Sequence, residues 1–208
     1  IIPARNEEEN IRACIESVIN QTYPRHLYEV IVVDDFSTDN TAAIAASFSQ
    51  SNVSLISLKD YAEEGKLNSY KKKAIEIGIA AAKGELIVTT DADCLPRKIW
   101  LQTLASFKEE KDPLFIAAPV VYENNSSLLQ IFQTLDFLVL QGITGAAVYK
   151  RSMAMCNGAN LAYEKKVFEE VSGFGDIDQI ASGDDMLLMY KIAKKYPDKI
   201  QYLKSKDV

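Results

Sequence analysis

At 208 residues, with 48% hydrophobic and 25% charged side chains, the chain holds enough apolar material for one substantial core and reads as a single soluble globular domain, residues 1–208. A formal charge of -6 argues against nucleic acid as a partner, Lys71-Lys72-Lys73 being a local exception. Three cysteines, Cys14, Cys94 and Cys156, fall at no zinc or redox spacing and point to reduced thiols in the cytoplasm, or at the cytoplasmic face of a membrane.

The chain opens inside a strand at Ile1-Ile2-Pro3 without an initiator Met, as expected of a domain cut from a longer protein, with any membrane segments outside this window. The loop Pro3-Ala-Arg-Asn6 leads to Glu7-Glu-Glu9 and an apolar stripe at Ile11, Cys14, Ile15, Val18 and Ile19, which predicts a helix with Asn6 as its N-cap. Val30-Ile-Val-Val33 is apolar throughout, as a strand covered on both faces requires, and ends at Asp34-Asp35 before Ser37-Thr38-Asp39 starts a second helix. Val53 to Ser57 reads as a third strand. Tyr70, Ala74, Ile77 and Ala81 mark a helix leading through Gly84 into the strand Glu85 to Thr90.

Pro96 is placed to open the next helix, through Trp100, Leu104 and Phe107, ahead of a strand over Leu114 to Val121. The longest apolar stretch, Leu128 to Ile143, is interrupted by Gln130, Gln133, Asp136 and Gln141, which suits a core or interfacial helix better than a membrane span. Asn157 to Tyr163 reads as a strand and Lys165 to Val171 as a short helix. After the Gly173-Phe174-Gly175 turn, a last helix carries Met186, Met189, Tyr190 and Ala193 on one face. Strands alternating with helices imply an α/β fold on a mostly parallel sheet flanked by helices, with a first half of about 1–93 and a second of about 94–208.

Carboxyl ends of parallel strands share one rim, where open α/β sheets bind their ligands. That rim gathers Pro3, Arg5 and Glu7 after the first strand, Asp35 after the second, and Asp91-Ala92-Asp93 after a later one. Two carboxylates at spacing two on an extended segment reach one hard cation, Mg²⁺ or Mn²⁺, of the kind that holds a diphosphate. Lys71 is placed to neutralise a phosphate. Asp184-Asp185 at the mouth of the last helix would be held ionised by the helix dipole and is a candidate base. Asp, Ser and Thr also cap helices and close turns, so convergence of these groups, more than any one of them, carries the reading.

Five segments together resemble the family 2 glycosyltransferases: Ile1-Ile-Pro-Ala-Arg-Asn-Glu7, Val30 to Asp39, Thr90-Asp-Ala-Asp93, Gly158-Ala-Asn-Leu-Ala-Tyr163 and Val171-Ser-Gly-Phe174. The resemblance implies a GT-A, Rossmann-like fold and transfer of a sugar, with inversion, from a nucleotide-diphosphate donor to a carbohydrate or lipid-linked acceptor, as in cell-envelope polysaccharide synthesis. It implies that Pro3, Arg5 and Glu7 lie near the nucleoside, that Asp35 binds the base, and that Lys71, Asp91 and Ala92 lie along the donor. Asp93 would bind the metal, Asp184 would be the base, and Asn157, Gly158, Ala159 and Asn160 would meet the acceptor. Gly183 stands where the family has Glu, which leaves the choice between Asp184 and Asp185 open. Two alternatives remain: a sugar nucleotidyltransferase, against which the acidic, glycine-free first loop counts, and a non-catalytic nucleotide-sugar-binding domain.

Overall fold

In the computed structural model, which describes residues 1–49, 52–65, 69–122, 127–152, 155–175 and 183–208, strand β2 (Val30–Asp34) is buried along its whole length and divides two cores. Val30 and Val32 pack into one cluster, Ile31 and Val33 into the other. Side chains alternate across a strand, so an all-apolar run demands cover on both faces. One face is covered by α1 (Ile11–Ile19), α2 (Thr41–Ala46) and α4 (Trp100–Lys111), through Ile11, Ile15, Ala45, Trp100 and Leu104. The other is covered by α3 (Tyr70–Ala81), α6 (Lys165–Glu170) and α7 (Asp184–Lys195), through Ile75, Ile79, Phe168, Leu188 and Ile192.

β1 (Ile2–Ala4), β2 and β3 (Val53–Ser57) form a parallel ladder in that order, with Ile2 opposite Val32 and Val30 opposite Val53. A second ladder runs β4-β6-β5-β7, formed by β4 (Leu86–Thr89), β5 (Phe115–Ala117), β6 (Leu161–Glu164) and β7 (Ile200–Tyr202). Ile1 joins the two: its nitrogen donates to Val88 O (2.7 Å) and Thr90 N–H donates to Ile1 O (3.2 Å), the spacing of a parallel pair. Among the described strands only β6 runs against the rest, being antiparallel to both β4 and β5. The mostly parallel sheet expected from the sequence is present.

Several element boundaries differ from the sequence reading, each for a local reason. α1 starts at Ile11, and its N-cap is Asn10. Asn6 instead adopts a left-handed φ of 55° and turns its side chain to the neighbouring loop, accepting from Thr38 N–H at 2.8 Å. α2 starts at Thr41 and not at Ser37, because Ser37, Thr38 and Asp39 are all bonded to the first loop or to Thr41. α4 begins at Trp100, beyond Pro96. β5 stops at Ala117, two residues before Pro119, which has no N–H to continue a ladder. The stretch expected as a strand from Asn157 opens instead as a 3₁₀ turn, Gly158–Asn160, and only then enters β6. β7 was not expected at all.

In α7 the buried residues are Leu188, Met189, Ile192 and Ala193, whereas Met186 and Tyr190 face solvent, so the expected stripe is rotated. At about 100° per residue, Asp185 falls in the middle of that buried arc. The long helix α5 (Leu128–Tyr149) is not a core helix: its Leu, Ile and Phe side chains are mostly exposed.

Candidate active site

The loops after β1 and β2 are knitted together. Asp35 N–H donates to Ala4 O (2.8 Å), Asn6 N–H to Ser37 Oγ (3.1 Å), Glu7 N–H to Thr41 Oγ1 (2.7 Å) and Glu8 N–H to Asp39 Oδ2 (3.1 Å). Glu8 returns the interaction, accepting from Asn40 N–H at 3.0 Å. The turn chemistry of Ser37, Thr38 and Asp39 therefore builds the rim. Glu7 also serves locally: its carboxylate accepts from Asn10 Nδ2 at 2.8 Å and its carbonyl from Ile11 N–H at 2.8 Å.

Asp35 is 6% exposed, and its Oδ1 has no hydrogen-bond partner. Burial pushes its carboxyl above the ordinary range, the Arg5 guanidinium pulls it back, and Asp34 and Glu64 push it up again. Arg5 lies 5.2 Å from the Tyr70 ring centroid and 3.3 Å from Glu64 Oε1, while Tyr70 meets Phe36 edge-on at 5.7 Å. A buried carboxylate oxygen lacking a donor, beside a cation stacked on an aromatic ring, suits a planar ligand that carries an N–H.

Asp91-Ala92-Asp93 is a turn and not the extended segment the spacing suggested: Cys94 N–H donates to Asp91 O at 3.1 Å. Its two carboxylates consequently have different surroundings. Asp91 holds Lys71 Nζ at 2.6 Å, which places that lysine on the rim, while Asp93 lines the adjoining cleft. Ala92 is buried underneath at 3% exposure and packs with α1 and β1. The lysine run acts as three separate residues. Lys71 goes to Asp91, Lys72 is buried, and Lys73 reaches Glu76 at 3.3 Å. Burial pushes the Cys14 thiol up to about 12 and the Cys94 thiol up to about 11, so both are protonated at neutral pH.

The cleft encloses about 600 Å³ and brings Asp91 and Asp93 together with Asn157, Ala159 and Asn160, and with Tyr122 and Phe137. Buried bonds fix its floor. Thr89 Oγ1 donates to Gly158 O (2.9 Å), Trp100 Nε1 to Asn160 Oδ1 (2.9 Å), Asn160 Nδ2 to Pro119 O (2.8 Å) and Ala159 N–H to Asn157 Oδ1 (2.9 Å). Asn160 thus holds the floor through bonds to the protein itself. A β-carbon on Gly158 would fall inside the Asp185 carboxylate, so helix α7 delivers that group directly against the 3₁₀ turn. Gly183 at the start of α7 has a φ of 80°, a left-handed geometry that suits glycine. The side chain of Asp184 lies outside the described residues.

Among the described residues no three His, Cys, Asp or Glu side chains form a metal cage. The oxygen donors present nonetheless suit Mg²⁺ or Mn²⁺. Such ions are held by one or two carboxylates with the substrate's phosphates completing the shell, and Asp93 with its neighbour Asp91 offers that pattern.

A family model described as Glycosyl transferase family 2 matches residues 1–172. The chain belongs to this family. Glycosyltransferase AglE of Haloferax volcanii is 30% identical over 188 residues, covering 89% of this chain and 58% of that protein. Two solved structures share the fold: S. aureus TarS 1-349 in complex with UDP-GlcNAc, with a TM-score of 0.70 and 20% identity over 99% of this chain, and the mannosyltransferase PcManGT from Pyrobaculum calidifontis in complex with GDP-Man and Mn²⁺, with a TM-score of 0.72 and 22% identity over 100% of this chain. The chain spans about half the length of these relatives, 55% and 54% of the two solved chains.

Within this family 2 domain, the residues that sequence reasoning missed are aromatic or buried. Tyr70 carries Arg5, Trp100 fixes Asn160, and Tyr122 packs on Phe137 with centroids 4.7 Å apart at the cleft wall. The helical pattern over Tyr70 and Trp100 showed that they lie on helices, but not which neighbour each would meet.

Proposed function

We propose that this family 2 domain transfers a sugar from a nucleotide-diphosphate donor to an acceptor hydroxyl in a single inverting displacement. The observation that carries the reading is the convergence of Asp91, Asp93 and the Asn157–Asn160 turn on one cleft, with the Asp185 carboxylate set against that turn. Support comes also from TarS and PcManGT, solved in complex with UDP-GlcNAc and with GDP-Man and Mn²⁺ respectively.

In this reading Asp35 accepts the N–H of the nucleobase, and Arg5 with Tyr70 flanks the nucleoside. Lys71, steadied by Asp91, meets a phosphate, and Asp93 holds the divalent ion. Bound Mg²⁺ or Mn²⁺ supplies charge stabilisation to the departing diphosphate. Tyr122 and Phe137 offer an apolar face to a sugar ring on the acceptor side. Asp185 accepts the acceptor's proton. We assign this role to Asp185 over Asp184 because α7 turns position 185 toward Gly158.

The products test the reaction class. Incubation with Mn²⁺, a nucleotide sugar and an acceptor panel releases free nucleoside diphosphate if the domain is a glycosyltransferase, whereas pyrophosphate would make it a sugar nucleotidyltransferase. Neither product from any donor would leave a binding domain.

A further inference from the structure

Helix α5 is built inside out. The side it turns to the domain carries Gln130, Thr134, Phe137, Gln141, Thr144 and Val148, spaced alternately four and three residues apart, with Gln141 and Thr144 buried to 6% and 4% exposure. Its other side carries Leu128, Phe132, Leu135 and Val139, which are 87%, 68%, 56% and 61% exposed. Leu129, Ile131, Leu138, Leu140 and Ile143 extend this apolar surface to an arc of about 200° around the axis, along about 24 Å of helix. Asp136, the single charged residue in the element, is exposed and lies within this arc, toward its Leu129 edge. A water-facing helix has the opposite arrangement, and an exposed patch of this extent marks a contact surface.

We propose that this face of α5 seats the domain on a phospholipid bilayer, with the helix lying in the plane of the interface. By length and composition α5 would suffice to cross a membrane, but its polar stripe is occupied by the domain. Gly145 brings α5 close against the Tyr202 ring of β7, and Phe137 packs on Tyr122. The helix is therefore held along the protein surface and presents only its outer face to lipid. The breadth of the arc selects the occupant. A second copy of the helix would cover the narrow seam of a two-helix contact and leave the flanks wet, whereas a hydrocarbon medium covers the whole arc. Attraction to anionic headgroups is not the cause, since the chain's formal charge is -6. Phe137 also walls the cleft, so seating α5 sets the cleft mouth beside the bilayer. The proposal stands on α5 alone and is independent of the reaction assigned to the cleft.

Flotation with phosphatidylcholine vesicles tests it. The chain is expected to rise with the vesicles at both low and high salt. The combined variant Phe132→Glu, Leu135→Glu, Val139→Glu should lose vesicle binding by about tenfold or more while keeping its melting transition, because all three side chains are exposed. Leu27→Glu, an exposed apolar residue away from α5, should float as the parent does. The proposal is overturned if the parent stays at the bottom of the gradient, or if the triple variant floats equally well. It is also overturned if the parent ignores vesicles and instead forms a dimer in lipid-free buffer that the triple variant dissociates, which would give the face to a second copy.

Discussion

The Asp185 carboxylate occupies the space beside Gly158 that any side chain would need. Residue 158 opens the 3₁₀ turn that floors the cleft, and residue 185 lies in the first turn of α7, so the contact joins the start of that helix to the turn. Gly158→Ala should push the carboxylate away without emptying the nucleotide side. We expect kcat to fall by about 100-fold, the scale of an ångström-sized misplacement, with nucleotide affinity unchanged by calorimetry. An unaltered kcat would show that the contact is only packing.

Asp185→Asn preserves shape and removes the proton acceptor. Turnover should fall by roughly 10² to 10⁴, whereas Asp184→Asn should retain most activity, since the carboxylate set against Gly158 is that of Asp185. Steady-state rates of the two variants, measured side by side, decide between the carboxylates. The reverse ranking would move the base to Asp184.

Asp35 makes a prediction about stability. Burial raises its carboxyl, so the folded chain holds this proton more tightly than the unfolded chain does. The group's contribution to stability is full below the ordinary Asp range and is lost as pH rises through the raised value, above which the carboxylate is buried and charged. Asp35→Asn should therefore melt at a higher temperature than the parent above that raised value, the gap closing on acidification, while nucleotide binding weakens. Parallel melting curves at every pH would contradict the assignment of strain to this carboxylate.

Lys71 and Asp91 pair at 2.6 Å, with side chains 44% and 32% exposed. An ion pair this wet contributes under about 1 kcal/mol, so Lys71→Met should barely move the denaturation midpoint. If Lys71 serves a phosphate, the same variant should weaken nucleoside diphosphate binding several-fold and nucleoside binding not at all. Equal loss for both ligands would remove Lys71 from the phosphate.

The alternation of strand, loop and helix was legible because β2 is apolar at each position from Val30 to Val33 and α1 repeats its apolar residues at helical spacing. The rim followed from that topology. Four things did not follow. The choice between Asp184 and Asp185 depends on the rotational phase of α7, set by burial of Leu188, Met189 and Ile192, and a stripe read through Met186 and Tyr190 gives the wrong phase. The spacing of Asp91 and Asp93 suggested an extended segment, whereas the two residues sit on a turn in which Asp91 pairs with Lys71. In α5 both an apolar and a polar stripe were present, but ordinary burial logic turns the apolar one inward, the reverse of what the structure shows. β7 has only three residues, too few for a strand pattern to register.

The most direct test of the central claim is titration of UDP and of GDP into the parent and into Asp93→Ala, with and without Mn²⁺, followed by calorimetry. The parent is expected to bind one of the two nucleotides tightly only when Mn²⁺ is present, and Asp93→Ala to lose this metal-dependent gain. Binding by Asp93→Ala equal to the parent's, or parent binding indifferent to Mn²⁺, would contradict it.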